Sequence, residues 1–209
     1  MAYLMAYLSS FRVSFSGLVG LALSGCVSGS VSTTVDKGRL PESFSPAAFA
    51  GVCEAWDDWE KPAPPFRVYG GTYYVGTCGI SAILITSPDG HLLIDSGTDR
   101  GGELVATSIR ELGFSLGDVR WLTHTQEHGD HIGGAEYLKE MTGARLVASP
   151  RARSVFETAV LNTDDPQYTP DEPREWLRVD RLVADGEGLE LGGKRVVAHF
   201  TPGHSPGAI

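Results

Sequence analysis

Residues 119–134 read Val-Arg-Trp-Leu-Thr-His-Thr-Gln-Glu-His-Gly-Asp-His-Ile-Gly-Gly, and no other stretch constrains the fold as tightly. An apolar extended run ends at Thr123, and polar groups with metal-ligand chemistry follow at once. His124, His128, Asp130 and His131 fall within eight residues and include three of the chain's six histidines. Imidazole nitrogen and carboxylate oxygen are ligands that zinc takes, and a catalytic zinc keeps one position open for water. His128, Asp130 and His131 can converge on an ion only if the backbone turns tightly. Gly129, which has no Cβ, is expected to permit that turn. The alternative is a polar surface loop whose histidines do nothing, but the density and order of ligand types favour a metal.

His128-Gly129-Asp130-His131 followed by Ile132-Gly133-Gly134 resembles the H-x-H-x-D-H signature of the metallo-β-lactamase superfamily, with Gln126 where the first histidine stands. His124 cannot take that place, because it lies four residues before His128 and the signature needs two. A second stretch, Thr201-Pro202-Gly203-His204-Ser205-Pro206-Gly207, resembles the setting in which a family histidine completes the first zinc site. The resemblance runs from about Phe66 to the last residue. It is nearest to the subclass B3 enzymes, a minority of which carry glutamine at this position. It implies an α/β fold, the αββα sandwich of two mixed sheets between helices, with the metal site at the sheets' common edge.

The same resemblance implies one or two Zn2+ per chain. Gln126, His128 and His204 would hold the first ion, and Asp130 and His131 the second. Asp130 would also serve catalysis by orienting the nucleophile. The reaction implied is hydrolysis of a small-molecule β-lactam through attack of a zinc-bound hydroxide. Separately from the resemblance, a monomer is expected. An amide oxygen should be a weaker zinc ligand than imidazole, so Gln126 weakens the first site. A thioester hydrolase of glyoxalase II type, a lactonase, and an inactive zinc-binding lipoprotein are the alternatives. Family members carry more of the second half and a last histidine for the second zinc, so an incomplete sequence is expected.

Composition sets the remaining limits. With 209 residues, 42% of them hydrophobic, the chain suits one globular domain plus a targeting segment. A formal net charge of −9 and the lack of any Lys/Arg run argue against nucleic acid as a partner. Arg12 precedes an apolar stretch over 13–23, and Leu23-Ser24-Gly25-Cys26 then resembles the bacterial lipoprotein signal. The expected organisation is a signal peptide at 1–25, a Ser/Thr/Pro-rich tether at 26–49 and the folded domain at 50–209. Residues 47–56 suit a helix turn or two. Lipid on Cys26 would be the only membrane contact of a periplasmic protein. A plain secretory signal is the alternative, and it too means export. Cys53 and Cys78 remain as an even pair, which an oxidising compartment would join. Gly76-Thr77-Cys78-Gly79 is similar to a stretch in some subclass B3 enzymes. Two free buried thiols are the other reading.

From Phe66 the pattern is extended. Residues 66–69 and 72–75 flank Gly70-Gly71, which suits a two-residue hairpin. Residues 81–86 and 91–95 flank Ser87-Pro88-Asp89-Gly90, a turn with Pro and Gly well placed. Asp95-Ser96-Gly97 resembles a family turn, with Asp95 expected to order the loop rather than bind metal. Helices are predicted over 101–113, closed by Gly113, over 135–141, and from Ser149-Pro150 through Val160. Strands are predicted at 119–123 and 144–148, and a hairpin about Gly192-Gly193. Such alternation requires a sheet with crossover helices. The acidic segment 162–174 suits either an active-site rim or a solvated connection. His91 and His199 are expected to be ordinary strand histidines.

Overall fold

A computed structural model of the chain describes residues 40–209; the expected signal peptide, Cys26 and most of the expected tether lie outside the described residues. Two hairpins come first. β1 (Phe66–Tyr69) pairs antiparallel with β2 (Thr72–Tyr74), β2 with β3 (Ile83–Ile85), and β3 with β4 (His91–Ile94). The chain then changes mode. β5 (Val119–Thr123), β6 (Arg145–Ala148) and β7 (Arg181–Leu182) add in parallel beyond β4, in chain order. The crossovers carry α2 (Gly101–Glu111), α3 (Gly129–Ile132) with α4 (Ala135–Thr142), and α5 (Pro150–Thr158). A second sheet of β8 (Gly188–Leu191) and β9 (Lys194–Val197) turns on Gly192 and Gly193, both at positive φ. That conformation is the one a two-residue turn of this kind needs.

Period-2 alternation sorts the sheet's side chains between two cores. Leu84, Leu93, Leu122 and Leu146 join Val105, Ile109, Leu138 and Phe156 of the helices. Leu92 and Val147, one residue out of step, meet Leu189 and Leu191 of the second sheet. Helices, large sheet and small sheet therefore stack as three layers of the αββα sandwich. Each of those fully buried leucines contributes about 1.5–3 kcal/mol. No described helix is long and apolar enough to cross a membrane.

The three helices predicted after residue 100 keep their starts and differ at their ends, while the turn or two expected over 47–56 spans 46–52. The Ser149 hydroxyl caps α5 by accepting from Ala152 N–H at 3.2 Å. The helix stops at Thr158 rather than Val160, and Ala159 turns left-handed at φ 55°. Its free carbonyls on Phe156, Glu157 and Thr158 accept from Leu177, Trp176 and Arg174, so a returning strap replaces a further turn. The boundary at residue 50 also needs correction. α1 (Pro46–Val52), capped by Ser45, sets Phe49 edge-on against Phe66 and Tyr74 at 5.5 and 5.0 Å. Leu40 and Phe44 pack on the main core, so residues 40–49 belong to the folded unit and not to a tether.

Candidate metal centre

β4 and β5 run parallel, so the segments leaving them meet at the carboxyl ends of the strands, where α/β sheets bind ligands. Asp95 leaves β4 at φ 65°, a left-handed conformation that aspartate tolerates better than most residues. Its buried carboxylate accepts from the Thr125 N–H at 2.6 Å and the Thr125 hydroxyl at 2.7 Å. It also lies 3.0 Å from His131 Nδ1. Asp95 therefore orders the loop, as expected, and leaves His131 Nε2 pointing at Asp130 Oδ2, 3.4 Å away. Burial alone would lower the His131 pKa, but the Asp95 hydrogen bond and then the Asp95 and Asp130 charges outweigh it and raise the value above 6.5.

The tight turn does not depend on Gly129. That residue starts the single turn of α3 with no positive φ, and a Cβ there would touch nothing. Close approach is needed five residues on instead. A Cβ on Gly134 would sit 2.4 Å from the Ser96 carbonyl and 2.6 Å from Gly102 Cα. With bare backbone at that crossing, the Ser96 N–H reaches the His131 carbonyl at 2.8 Å and the ligand loop docks on the β4 turn.

The loop over 201–209 closes the other side. Glu127, 1% exposed, accepts from the Ser205 hydroxyl and the Gly207 N–H, both at 2.6 Å. The Ile209 N–H donates to the Thr125 carbonyl, and the Ser149 hydroxyl to that of Gly207. These bonds bring His204 Nε2 to 3.2 Å from His128 Nδ1, across 76 residues of sequence. His128 Nε2 faces both oxygens of Asp165, at 3.0 and 3.1 Å. Two positions before His128, Gln126 keeps its Oε1 buried with no hydrogen-bond partner among the described residues.

These residues fit zinc. In a tetrahedral site with bonds of about 2.0–2.1 Å, neighbouring ligand atoms lie about 3.3–3.4 Å apart. The pairs His128–His204 and His131–Asp130 stand at 3.2 and 3.4 Å, and the Gln126 amide oxygen is a buried acceptor with no partner among the described residues. Among the described residues, the one set of three His, Cys, Asp or Glu ligand atoms within 4.8 Å of one another is Cys53, Asp57 and Cys78. There, however, the sulfurs are bonded to each other and Asp57 is held by Lys61. An open groove of about 580 Å³ beside the centre is lined by Trp59, Glu60, His128, Asp130, Arg174 and Trp176.

The other histidines stand aside. His124 is buried against Phe156, and its Nε2 accepts from the Ser149 N–H at 3.3 Å. Burial pushes its pKa down to about 4, with the Asp95 charge opposing and His131 adding. His91 lies buried in β4 against the Phe114 ring. His199 is exposed past the end of β9, beside Asp185, and so is not a strand residue. Glu127 and Asp165 have structural parts here that the sequence reading missed. Segment 162–174 is neither wholly rim nor wholly solvated connection, because Asp164 turns out to Arg151 while Asp165 turns in. Adjacent acidic residues carry no sign of which one turns.

Known proteins share this fold. The sequence model of the Metallo-beta-lactamase superfamily matches residues 75–209. The solved structure of the MIM-2 metallo-beta-lactamase superposes with a TM-score of 0.74 at 52% identity, over 78% of this chain and 61% of that one. MEM-A1, a subclass B3 metallo-beta-lactamase from a soil metagenome library, gives 0.67 at 43% identity, over 72% and 57% of the two chains. A Burkholderia pseudomallei (strain 1710b) protein named "Probable metallo-hydrolase" is 34% identical over 150 residues, 66% of this chain and 49% of that protein. The chain thus spans about half to three-fifths of the length of these relatives.

Proposed function

We propose that this chain, which belongs to the metallo-beta-lactamase superfamily, is the zinc-binding part of a hydrolase that opens the ring of β-lactam antibiotics. The observation that carries this reading is the meeting of His128 Nδ1 and His204 Nε2 at 3.2 Å from two distant loops. The likeness to MIM-2 and MEM-A1 supports a β-lactam as the substrate. Gln126, His128 and His204 would hold one ion, and Asp130 and His131 would offer two ligands to another. Zinc held there would supply Lewis acidity toward a carbonyl oxygen and would lower the pKa of water to about 7.

The remaining chemistry belongs to the chain. Asp95 fixes the His131 ring, so that Nε2 alone is presented outward. Asp130, with its side chain 20% exposed, keeps a carboxylate oxygen free to accept a hydrogen bond from the attacking water. Trp59 and Trp176 give the groove apolar walls, and Arg174 offers a cation to a substrate carboxylate. We also propose export, with lipid on Cys26 holding the protein to a membrane.

Nitrocefin hydrolysis by the whole purified protein tests the reading. Turnover should vanish on chelation, return with zinc, and fall at least about 100-fold in Asp130→Ala. Failure on penicillin, cephalosporin and carbapenem alike, with hydrolysis of S-lactoylglutathione instead, would reassign the substrate to a thioester.

A further inference from the structure

Asp165 lies outside every motif that points to the metal, yet its side chain is fully buried and spends both oxygens on His128. It is held there independently of the histidine. Its Oδ1 also accepts from the Gln167 N–H at 2.8 Å, and its own N–H donates to the Asn162 carbonyl at 2.9 Å. The Asn162 side chain is tied to α5 in turn, donating to the Arg151 carbonyl and accepting from the Ser154 hydroxyl, both at 3.0 Å. The Arg151–Asp164 ion pair adds a second tie to the same helix. The carboxylate therefore sits in a turn anchored to α5, whose first turn is joined through Ser149 to the loop that carries His204.

We propose that Asp165 is a positioning residue, which fixes the proton of His128 on Nε2 and so presents Nδ1 as a lone pair beside His204 Nε2. An ionised carboxylate accepts and cannot donate, so the ring nitrogen facing it must carry the hydrogen. In a neutral ring, the nitrogen on the other side is then the acceptor that a metal requires. The two near-equal contacts, 3.0 and 3.1 Å, also restrict rotation of the ring about its χ2 axis. Carboxylates behind metal-binding histidines are worth about 10–100-fold in metal affinity. The inference rests on the metal-centre reading above, but its first test needs no metal.

Nitrogen-15 NMR of the metal-free full chain should show His128 protonated on Nε2 and bare on Nδ1. A ring protonated on Nδ1 would overturn the inference. Zinc titrated against a competing chelator gives the second readout. Asp165→Asn keeps the shape of the side chain but replaces one acceptor oxygen by a donor. It should bind zinc at least tenfold more weakly, with Asp165→Ala at least as weak. A smaller loss in a folded Asp165→Asn protein would overturn the proposal, as would a fall in melting temperature with zinc affinity unchanged. Should these variants not fold, the wild-type tautomer still decides. If the wild-type chain bound no zinc, the functional reading would fail, and the tautomer would still judge Asp165.

Discussion

Glu127 offers the sharpest test of how the two ligand-bearing loops are held together. Its carboxylate is 1% exposed and takes two donors from the His204 loop, each at 2.6 Å. Hydrogen bonds to a charged group contribute about 1.5–3 kcal/mol each, and Glu127→Ala removes two while leaving both donors buried. The variant also relieves the desolvation of a buried carboxylate, which places the net loss near the lower sum, about 3 kcal/mol. For a chain of this size that means a melting temperature about 6–12 °C lower. Glu127→Gln can still accept from Gly207 and donate to Ser205, so it should lose only about 1 kcal/mol. Urea unfolding with Ser205→Ala as the second arm of a double-mutant cycle isolates the pair, with about 1.5 kcal/mol of coupling expected. Loss of under 0.5 kcal/mol in Glu127→Ala, or strict additivity with Ser205→Ala, would show that the carboxylate does not hold the loop.

His124 should make the fold acid-sensitive. Its folded pKa is about 4 and its ordinary value is 6.5, so the unfolded chain binds the extra proton between them. The stability is therefore complete above pH 6.5 and is lost as pH falls through about 4, up to roughly 3 kcal/mol. Urea midpoints across that range should slope in wild type and flatten in His124→Gln. The Cys53–Cys78 bridge spans 25 residues and should stabilise by about 3.5 kcal/mol in the chain-entropy model. An equal melting temperature with and without reductant would contradict that. Gln126→His should tighten zinc at least tenfold and leave hydrolysis intact or improved, while equal affinity in wild type, Gln126→His and Gln126→Ala would show that the amide never touches metal. Wild-type protein should partition with membranes through Cys26, and recovery wholly in the soluble periplasmic fraction would dismiss the anchor.

Most of the fold could be read from local signals. Gly70-Gly71, Gly192-Gly193 and Ser149-Pro150 mark turns and a cap through backbone chemistry that needs no tertiary partner, and the structure uses each of them. β7 could not be read, because two residues carry no period and the strand exists only through Val147 and Ala148. The first ten residues of the folded unit, 40–49, have the composition of a linker, and Phe49 packs there against the rings at 66 and 74. At the site, residue type and spacing picked out His128 with His204 and Asp130 with His131, which the fold brings together as two pairs. Glu127 and Asp165 escaped for the opposite reason. What they do depends on which way the chain faces once folded, and neither composition nor spacing encodes that. Gly129 was a misread cue, since the crowding lies at Gly134 and Gly102.

The 76 residues between His128 and His204 also decide when the centre can exist. Closing a loop of that length from the unfolded chain costs about 4 kcal/mol, before any contact rewards it. The strands and helices between them must already be in place, so the pair is among the last contacts made on folding. A ribosome displays His128, Asp130 and His131 well before His204 emerges, and the early segment alone offers only weak, local ligands. Metal capture by the proposed His128–His204 pair would thus signal that the chain has finished folding, and its rate in a refolding experiment should match the slowest structural phase rather than diffusion of the ion.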